Sequence, residues 1–321
     1  MVHKIPVGVL GASGYAGREL CAFIAQHPRL SLAFATANAQ RGERLELPGT
    51  AITFVATEDA PLGAAALIFS SLPHGASAEW VARARAAGAR VVDLSTDLRI
   101  GNAVAEAVPY GLTEWQRDAV RDAQVVANPG CYPTSALLAL LPLLEADLIA
   151  PGATVSINAA SGVTGAGLTP RLDLLFGEIT ENYRAYGVGN THRHLNEMRA
   201  AVAMTDATCD LLFTPHLLPI ARGILSTITV PLRAELANPI GLWQQRYAGE
   251  RFVEIVDALP ELRHVHRRNV ARIAVRPVAH VRTPTLQVFS AIDNLVKGAA
   301  GQALQNANLM LSLDESLGLP L

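Results

Sequence analysis

A short apolar run, Ile5 to Leu10, is closed by Gly11, and the next residues carry Leu20, Phe23 and Ile24 at helical spacing. A buried parallel strand followed by a glycine turn and an amphipathic helix explains this order. The texture recurs. The runs "LSLAFAT", "ALIFSSL", "RVVDLS" and "AQVVAN" read as further strands, and "SAEWVARARAAG" reads as a helix stopped by Gly88. Strands alternating with helices at this spacing imply an α/β fold, a doubly wound parallel sheet with helices on both faces.

After about Thr134 the pattern changes. "SALLALLPLLEADLI" is a helical run that Pro142 is expected to kink or split. The segments "ATVSINAASG", "CDLLFTPHL", "GILSTITVPL", "VARIAVRPVA" and "TLQVFSAI" read as strands, with "IGLWQQRYAGE" as a helix among them. This is the texture of a second, α+β domain with a larger mixed sheet. The last run, "DNLVKGAAGQALQNANLML", is helical. Leu295, Val296, Ala299, Ala303, Leu304 and Ala307 share a face there, and Asp293 or Asn294 is placed to cap it. A chain of 321 residues suits two domains of ordinary size.

The first turn, Gly11-Ala12-Ser13-Gly14-Tyr15-Ala16-Gly17, is a G-x-x-G-x-x-G variant of the dinucleotide fingerprint. Glycines there allow a tight turn, close approach of backbone N–H groups to a pyrophosphate, and close helix–strand packing. A site for NAD ordinarily places an acid on the ribose about 20 residues past the fingerprint. The first acid here, Glu43, comes too late, and Thr36, Asn38 and Arg41 stand near the second strand's end instead. Hydroxyl, amide and guanidinium groups suit a 2′-phosphate, so the expected cofactor is NADP (NADPH). Pro73 and His74, at the end of the third strand, lie where doubly wound sheets bind ligands.

Residues 128 to 134 read "NPGCYPT". Cys131 follows a strand and a Pro-Gly turn and precedes an apolar helix whose first turn holds Pro133. The unpaired N–H groups and dipole of a helix start favour a thiolate, the environment of a nucleophile. Cys21 and Cys209 fall inside a helix face and a strand-like run, as small buried hydrophobes do. A base is needed as well. His192, Arg193, His194 and Glu197 form one polar cluster, in which His194 and Glu197 share a face if the segment is helical. His74 and His216 are further candidates. An H-x-H followed by Glu is also a possible metal set, but no further ligands accompany it, and no metal is expected.

The totals exclude other classes. The net charge of −2, with no basic surplus, excludes a nucleic-acid partner, and no apolar stretch reaches membrane-spanning length. The N-terminal apolar run is too short for a signal peptide. Three cysteines without a C-x-x-C pair fit a reducing, cytoplasmic compartment.

Taken in order, "GASGYAGREL", "SSLPHG", "VVDLSTDLR", "ANPGCYPT", "ASGVTGAG", "HRHLNE", "FTPHLLPIARGILSTI" and "DNLVKGAAGQALQNANLM" resemble the N-acetyl-gamma-glutamyl-phosphate reductases of arginine biosynthesis, within the aspartate-semialdehyde dehydrogenase-like superfamily. The resemblance runs from Gly11 to Met310. It implies a Rossmann-type NADP-binding domain of residues 1–131 and 295–321, whose C-terminal helix returns to it, and a substrate and oligomerisation domain of residues 132–294. It implies Cys131 as nucleophile and His194 as acid/base. His192, Arg193, Arg99, Asn128, Glu197 and His216 are expected near the substrate, and Ser161, Gly162 and Asn294 near the cofactor. The partner is a small acyl phosphate, and the assembly a homodimer or homotetramer.

Three departures stand out. Ala160 replaces a lysine common in that family, Leu168 replaces an arginine, and the stretch from Arg99 to Tyr110 is short. They leave the acyl group open among N-acetylglutamyl, N-succinylglutamyl and carrier-linked aminoadipyl phosphates, with aspartyl phosphate as the nearest rival. A Cys–His hydrolase would leave the glycine turn unused, and an NADP-binding sensor would not need Cys131 at a helix start.

Overall fold

The computed structural model describes residues 3–102 and 108–321; residues 103–107, inside the short Arg99–Tyr110 stretch, lie outside the described residues. The chain divides into two compact units, Met1–Pro129 with Ala299–Pro320, and Gly130–Gly298 with Leu321.

The first unit begins β1 (Ile5–Leu10), α1 (Tyr15–Gln26), β2 (Leu30–Ala35), as the periodicity requires. A hairpin not anticipated from the sequence follows, β3 (Arg44–Leu47) and β4 (Thr50–Thr53), turned by Pro48-Gly49. Then come β5 (Leu67–Ser70), α2 (Ser77–Ala86), β6 (Arg90–Asp93), α3 (Thr113–Asp122) and β7 (Val125–Ala127). The sheet is parallel, in the order β2-β1-β5-β6-β7. Apolar side chains fill both of its faces. Val7, Val9, Leu67, Phe69 and Val92 pack into one cluster, and Leu10, Ile68 and Val91 pack with Trp80 and Val81 of α2 into another.

The second unit opens with α4 (Cys131–Glu145), β8 (Thr154–Gly162), the single-turn α5 (Phe176–Ile179) and β9 (Arg184–Ala185). It continues through α6 (His194–Ala203), β10 (Asp210–Leu218), β11 (Ile224–Pro231), α7 (Pro239–Arg246), β12 (Val253–Ile255), β13 (Ala271–Pro277) and β14 (Thr285–Ile292). Its seven-stranded sheet is mixed, in the order β12-β13-β14-β11-β8-β10-β9. β8 runs parallel to β10 and β12 parallel to β13, and the other pairs are antiparallel. β11 alternates buried and half-buried residues along its whole length, the mark of a sheet with one packed face. Three buried hydroxyls tie α4 to that face: Ser135 Oγ lies 2.8 Å from Ser226 Oγ of β11 and 3.1 Å from Ser290 Oγ of β14. After β14 a π-helical turn, Val296–Ala300, leads into α8 (Gly301–Met310), which belongs to the first unit and packs on α3, β6 and α1. The expected cap is Asp293, whose Oδ1 accepts the N–H groups of Leu295 and Val296.

Of the kink or split expected at Pro142, the split does not occur. α4 runs unbroken through Pro142. Proline has no N–H to give the carbonyl four residues earlier, that of Leu138, and its ring crowds that carbonyl. Here the Tyr247 hydroxyl donates to Leu138 O at 2.6 Å, and Trp243 Nε1 of α7 donates to the next carbonyl, Ala139 O, at 3.0 Å. Both donors are buried. The carbonyl freed by proline is thus satisfied from a second helix, and the helix has no cause to break. Tyr247→Phe is expected to leave that carbonyl buried without its donor and to lower stability by about 1–3 kcal/mol in denaturant titration. An unchanged midpoint would show that the hydroxyl contributes nothing there.

Candidate active site

In the first unit the glycine turn joins β1 to α1. Gly11 has φ +73°, and a Cβ there would lie 2.5 Å from Ser71 O. At Gly17 a Cβ would lie 2.4 Å from Gly11 O and 2.7 Å from Ala12 Cα. Those two glycines serve the turn and the helix packing. At Gly14, the residue that caps α1, the nearest atom is 3.8 Å away, so the space in front of it is open to a ligand. Ala12 is buried and its N–H donates to Thr36 O, while Ser13, Tyr15 and Ala16 are half-buried along the turn. A cradle with one open glycine at a helix start fits a phosphate group.

The three groups expected at the ribose separate. Thr36 is fully buried, and its Oγ1 accepts the Gly11 N–H at 3.0 Å, so it holds the turn. Asn38 and Arg41 are exposed on the segment after β2, and Asn38 Oδ1 accepts the Thr57 N–H. Pro73 and His74 are exposed on the loop between β5 and α2, where His74 Nδ1 accepts the Thr96 N–H. Asp97, which the sequence reading passed over, accepts the N–H groups of Gly75, Ser77 and Ala78 and so closes the start of α2 beside that loop. Arg99 is buried and donates to Leu94 O and Asn128 O. Asn128 is buried too, with its Oδ1 accepting from Asn306 and its Nδ2 donating to Ala299 O.

In the second unit Cys131 is the first residue of α4, capped by Gly130. Of the N–H groups at this end, that of Gly130 donates to Glu197 Oε2 at 2.9 Å, and Pro133 has none. Cys131 and Tyr132 are the first two residues of the helix, at the positive end of its dipole. Glu197 and His194 lie on the buried face of α6, as their spacing predicts, and Arg193 caps that helix in an exposed position. The ring of Tyr132 meets His192 at 5.6 Å, His194 at 6.0 Å and Phe213 at 5.2 Å, and the His192 and His194 rings are 4.9 Å apart. Tyr186 closes the cluster. Its hydroxyl is 2.9 Å from that of Tyr132, and burial, with the charge of a Cys131 thiolate adding to it, pushes its ionisation up to about 12. Nothing in the sequence pattern marked Tyr186. The nearest signal was its position six residues ahead of the histidine pair.

His216 is not in this group. On β10 it alternates with Phe213, Pro215 and Leu217, so its side chain takes the opposite face of the sheet, where it stacks on Tyr183 at 5.0 Å. Ala160, opposite His216 in the register, is on that outer face as well, and Leu168 is exposed. Ser161 is buried with Oγ donating to Gly162 O. Asn294 joins Gly223 N–H to the Thr164 hydroxyl. Gly298 was also missed. A Cβ on it would fall 2.8 Å from Cys131 Cβ and 3.2 Å from Cys131 Cα, so the π-helical turn reaches the cysteine only because residue 298 has no side chain. A glycine inside a helical run was the available sign. Lys297 beside it is fully buried, with its ammonium 5.4 Å from the Phe252 ring.

Two family models cover most of the chain: "Semialdehyde dehydrogenase, NAD binding domain" over residues 6–123 and "Semialdehyde dehydrogenase, dimerisation domain" over residues 131–294. The N-acetyl-gamma-glutamyl-phosphate reductase of Laribacter hongkongensis is 42% identical, with 98% of each chain covered. The chain belongs to the N-acetyl-gamma-glutamyl-phosphate reductase family. Its relative of that name from Geobacter sulfurreducens is 41% identical over 98% of both chains. In fold it is similar to aspartate semialdehyde dehydrogenase II of Vibrio cholerae, with a TM-score of 0.79, 18% identity, and 97% and 99% of the two chains covered. A probable aspartate-semialdehyde dehydrogenase from Pseudomonas aeruginosa gives a TM-score of 0.76 at 20% identity, over 96% and 99%. As a member of this reductase family the chain is an oxidoreductase. No helix among the described residues is long and apolar enough to cross a membrane.

The histidine pair allows a pH test. Burial, and then the Arg193 charge, lower His192 from 6.5 to about 4. Its Nδ1 accepts the His194 N–H at 3.2 Å, which puts the proton of the neutral ring on Nε2. Between pH 6.5 and 4 the unfolded chain binds a proton at this residue that the folded chain does not. The stabilising difference is therefore complete above pH 6.5 and is lost as pH falls toward 4. Wild-type stability is expected to fall through that window more steeply than that of His192→Asn, by at most about 1.4 kcal/mol per pH unit. Equal slopes in acid titrations of the two proteins would contradict a neutral His192.

Proposed function

We propose that this protein reduces N-acetyl-gamma-glutamyl phosphate to N-acetylglutamate 5-semialdehyde with NADPH, through a thioester on Cys131. The observation that carries the reading is Cys131 at the first position of a buried helix, with the next residue, Tyr132, packed against the histidine pair, in a chain of this reductase family. The Cys131 thiolate, favoured by the helix start, attacks the acyl phosphate carbon, and phosphate leaves with the electron pair of the C–O bond. When bound, the cofactor supplies a hydride to the acyl carbon. The N–H groups of Cys131 and Tyr132 stabilise the oxyanion of the resulting thiohemiacetal. His194 gives a proton to that oxygen or takes it back as the aldehyde departs and the thiolate returns. His192 is neutral in this scheme and holds the His194 backbone, so Arg193 is the cation that meets the substrate's carboxylates. Glu197 fixes the Gly130 end of the turn.

The open Gly14 cradle and the absence of an acid near Asn38 support NADPH, with Arg41 on the 2′-phosphate. Pro73, His74, Ser161, Gly162 and Asn294 are assigned to the rest of the cofactor. Arg99, which donates to the Asn128 and Leu94 carbonyls, is assigned to the site's support, and His216, on the other face of the sheet, is left out of direct contact. A second copy of the chain is the partner, as homodimer or homotetramer. Leu168, Leu172, Leu175, Phe176, Tyr183 and Val188 give this reading its support, because they leave a large apolar area exposed on one stretch. The setting is cytoplasmic.

The test is phosphate-dependent oxidation of N-acetylglutamate semialdehyde. Wild type should prefer NADP over NAD, and Arg41→Ala should narrow that preference. Cys131→Ser should lose activity by more than about a hundredfold while binding NADPH normally. Retained turnover in Cys131→Ser would rule out the thioester, and faster turnover with N-succinylglutamate semialdehyde or aspartate semialdehyde would reassign the acyl group.

A further inference from the structure

α8 is buried on every side, yet it carries four amides, Gln302, Gln305, Asn306 and Asn308, each fully buried. Four polar side chains on a wholly buried helix are costly unless each is satisfied in a fixed direction. Two of them begin a chain of hydrogen bonds that runs one way. Gln302 Nε2 donates to Thr113 Oγ1 at 2.8 Å, and the Thr113 hydroxyl donates to Asn306 Oδ1 at 2.7 Å. Asn306 Nδ2 donates to Asn128 Oδ1 at 3.0 Å, and Asn128 Nδ2 donates to Ala299 O at 3.3 Å. Asn306 Nδ2 also donates to Gly111 O at 2.9 Å. At Gly111 a Cβ would fall 2.4 Å from that same nitrogen, so glycine is what allows the amide to reach.

The direction of this chain leaves no freedom at its far end. Turning the Asn128 amide over would face its nitrogen to the Asn306 donor and its oxygen to the Ala299 carbonyl, losing both bonds. The backbone of Asn128 is held as well: its N–H donates to Asp93 O at 2.7 Å and its carbonyl accepts from Arg99 Nε at 2.8 Å. Only Pro129 and Gly130 separate Asn128 from Cys131. Proline fixes its own φ, and the Gly130 N–H is taken by Glu197.

We infer that Asn306 is a positioning residue for the reaction: through the Asn128 amide it fixes the Asn128–Pro129–Gly130 turn that delivers Cys131. The inference rests on Cys131 being the nucleophile. A network that only fastened α8 to its unit would change stability and leave the kinetics of the folded enzyme alone. A positioning network changes kcat, because small displacements of a reacting group cost rate.

The experiment is a double-mutant cycle on the full-length enzyme with Asn306→Ala, Asn128→Ala and the pair, with Thr113→Val as a milder variant that removes only the hydroxyl orienting Asn306. Two readouts are taken on folded protein: kcat and KM for NADPH in the reductase assay, and the rate at which iodoacetamide labels Cys131. Each single alanine variant should lower kcat by about ten- to a hundredfold with KM for NADPH unchanged, and should alter the labelling rate. The double variant should be no worse than the singles, because both break one chain of bonds. Thr113→Val should lower kcat in the same direction by less. Wild-type kcat in folded Asn306→Ala, or losses that multiply in the double variant, would overturn the inference. Should Asn306→Ala fail to fold, unchanged kcat and labelling in Thr113→Val overturn it alone. Absence of acyl-phosphate chemistry in the wild type would count against the proposed function instead, and the labelling rates would still decide the role of Asn306.

Discussion

A helix that starts inside a protein must give its first N–H groups something to bind. In α4 this requirement falls at Cys131. Thirteen residues, Tyr132 to Leu144, are all buried behind it, so the helix is fixed in place by its own apolar surface. One N–H at the entrance is given to Glu197, and proline removes another. The dipole of the helix leaves a small positive end at the residue that carries the sulfur. The same end can lower the energy of a thiolate and of a thiohemiacetal oxygen, which are the two anions the proposed reaction requires. Much of the surrounding structure keeps this end where it is. Tyr247 and Trp243 satisfy the α4 carbonyls just before its proline, the three buried serines lock it to the sheet, and Gly298 lets the π-helical turn close against the cysteine.

Polar groups do the positioning elsewhere as well. Thr36 holds the glycine turn, Asp97 closes the start of α2, and Asn128 sits at the end of the amide chain that begins on α8. Each is buried, and each bonds to backbone or to another side chain. Apolar packing would stabilise the same fold but would not fix the direction of a loop so narrowly.

The fold was legible because apolar periodicity carries it. The strand–turn–helix opening, the change of texture after Thr134 and the position of Cys131 at a helix start all follow from local rules. What local rules could not supply was the partner across the fold. Pro142 signals a break in sequence, and only Tyr247, more than a hundred residues on, cancels it. His216 was a further candidate expected near the substrate, but alternation on β10 turns it to the other face. Thr36 was read as a cofactor contact, and its burial assigns it to the turn. Tyr186 and Asn306 meet their partners only after folding. The β3–β4 hairpin was missed because its strands are short and its Pro-Gly turn could be read as plain loop.

The claim that the account depends on most is a covalent acyl–enzyme at Cys131. It is tested most directly by mixing the enzyme with NADP and N-acetylglutamate semialdehyde while withholding phosphate. The acyl group then has nowhere to go. The account predicts a single burst of NADPH, about one per active subunit, and a matching mass increase on the peptide that contains Cys131. No burst and no adduct, with full turnover once phosphate is added, would contradict it.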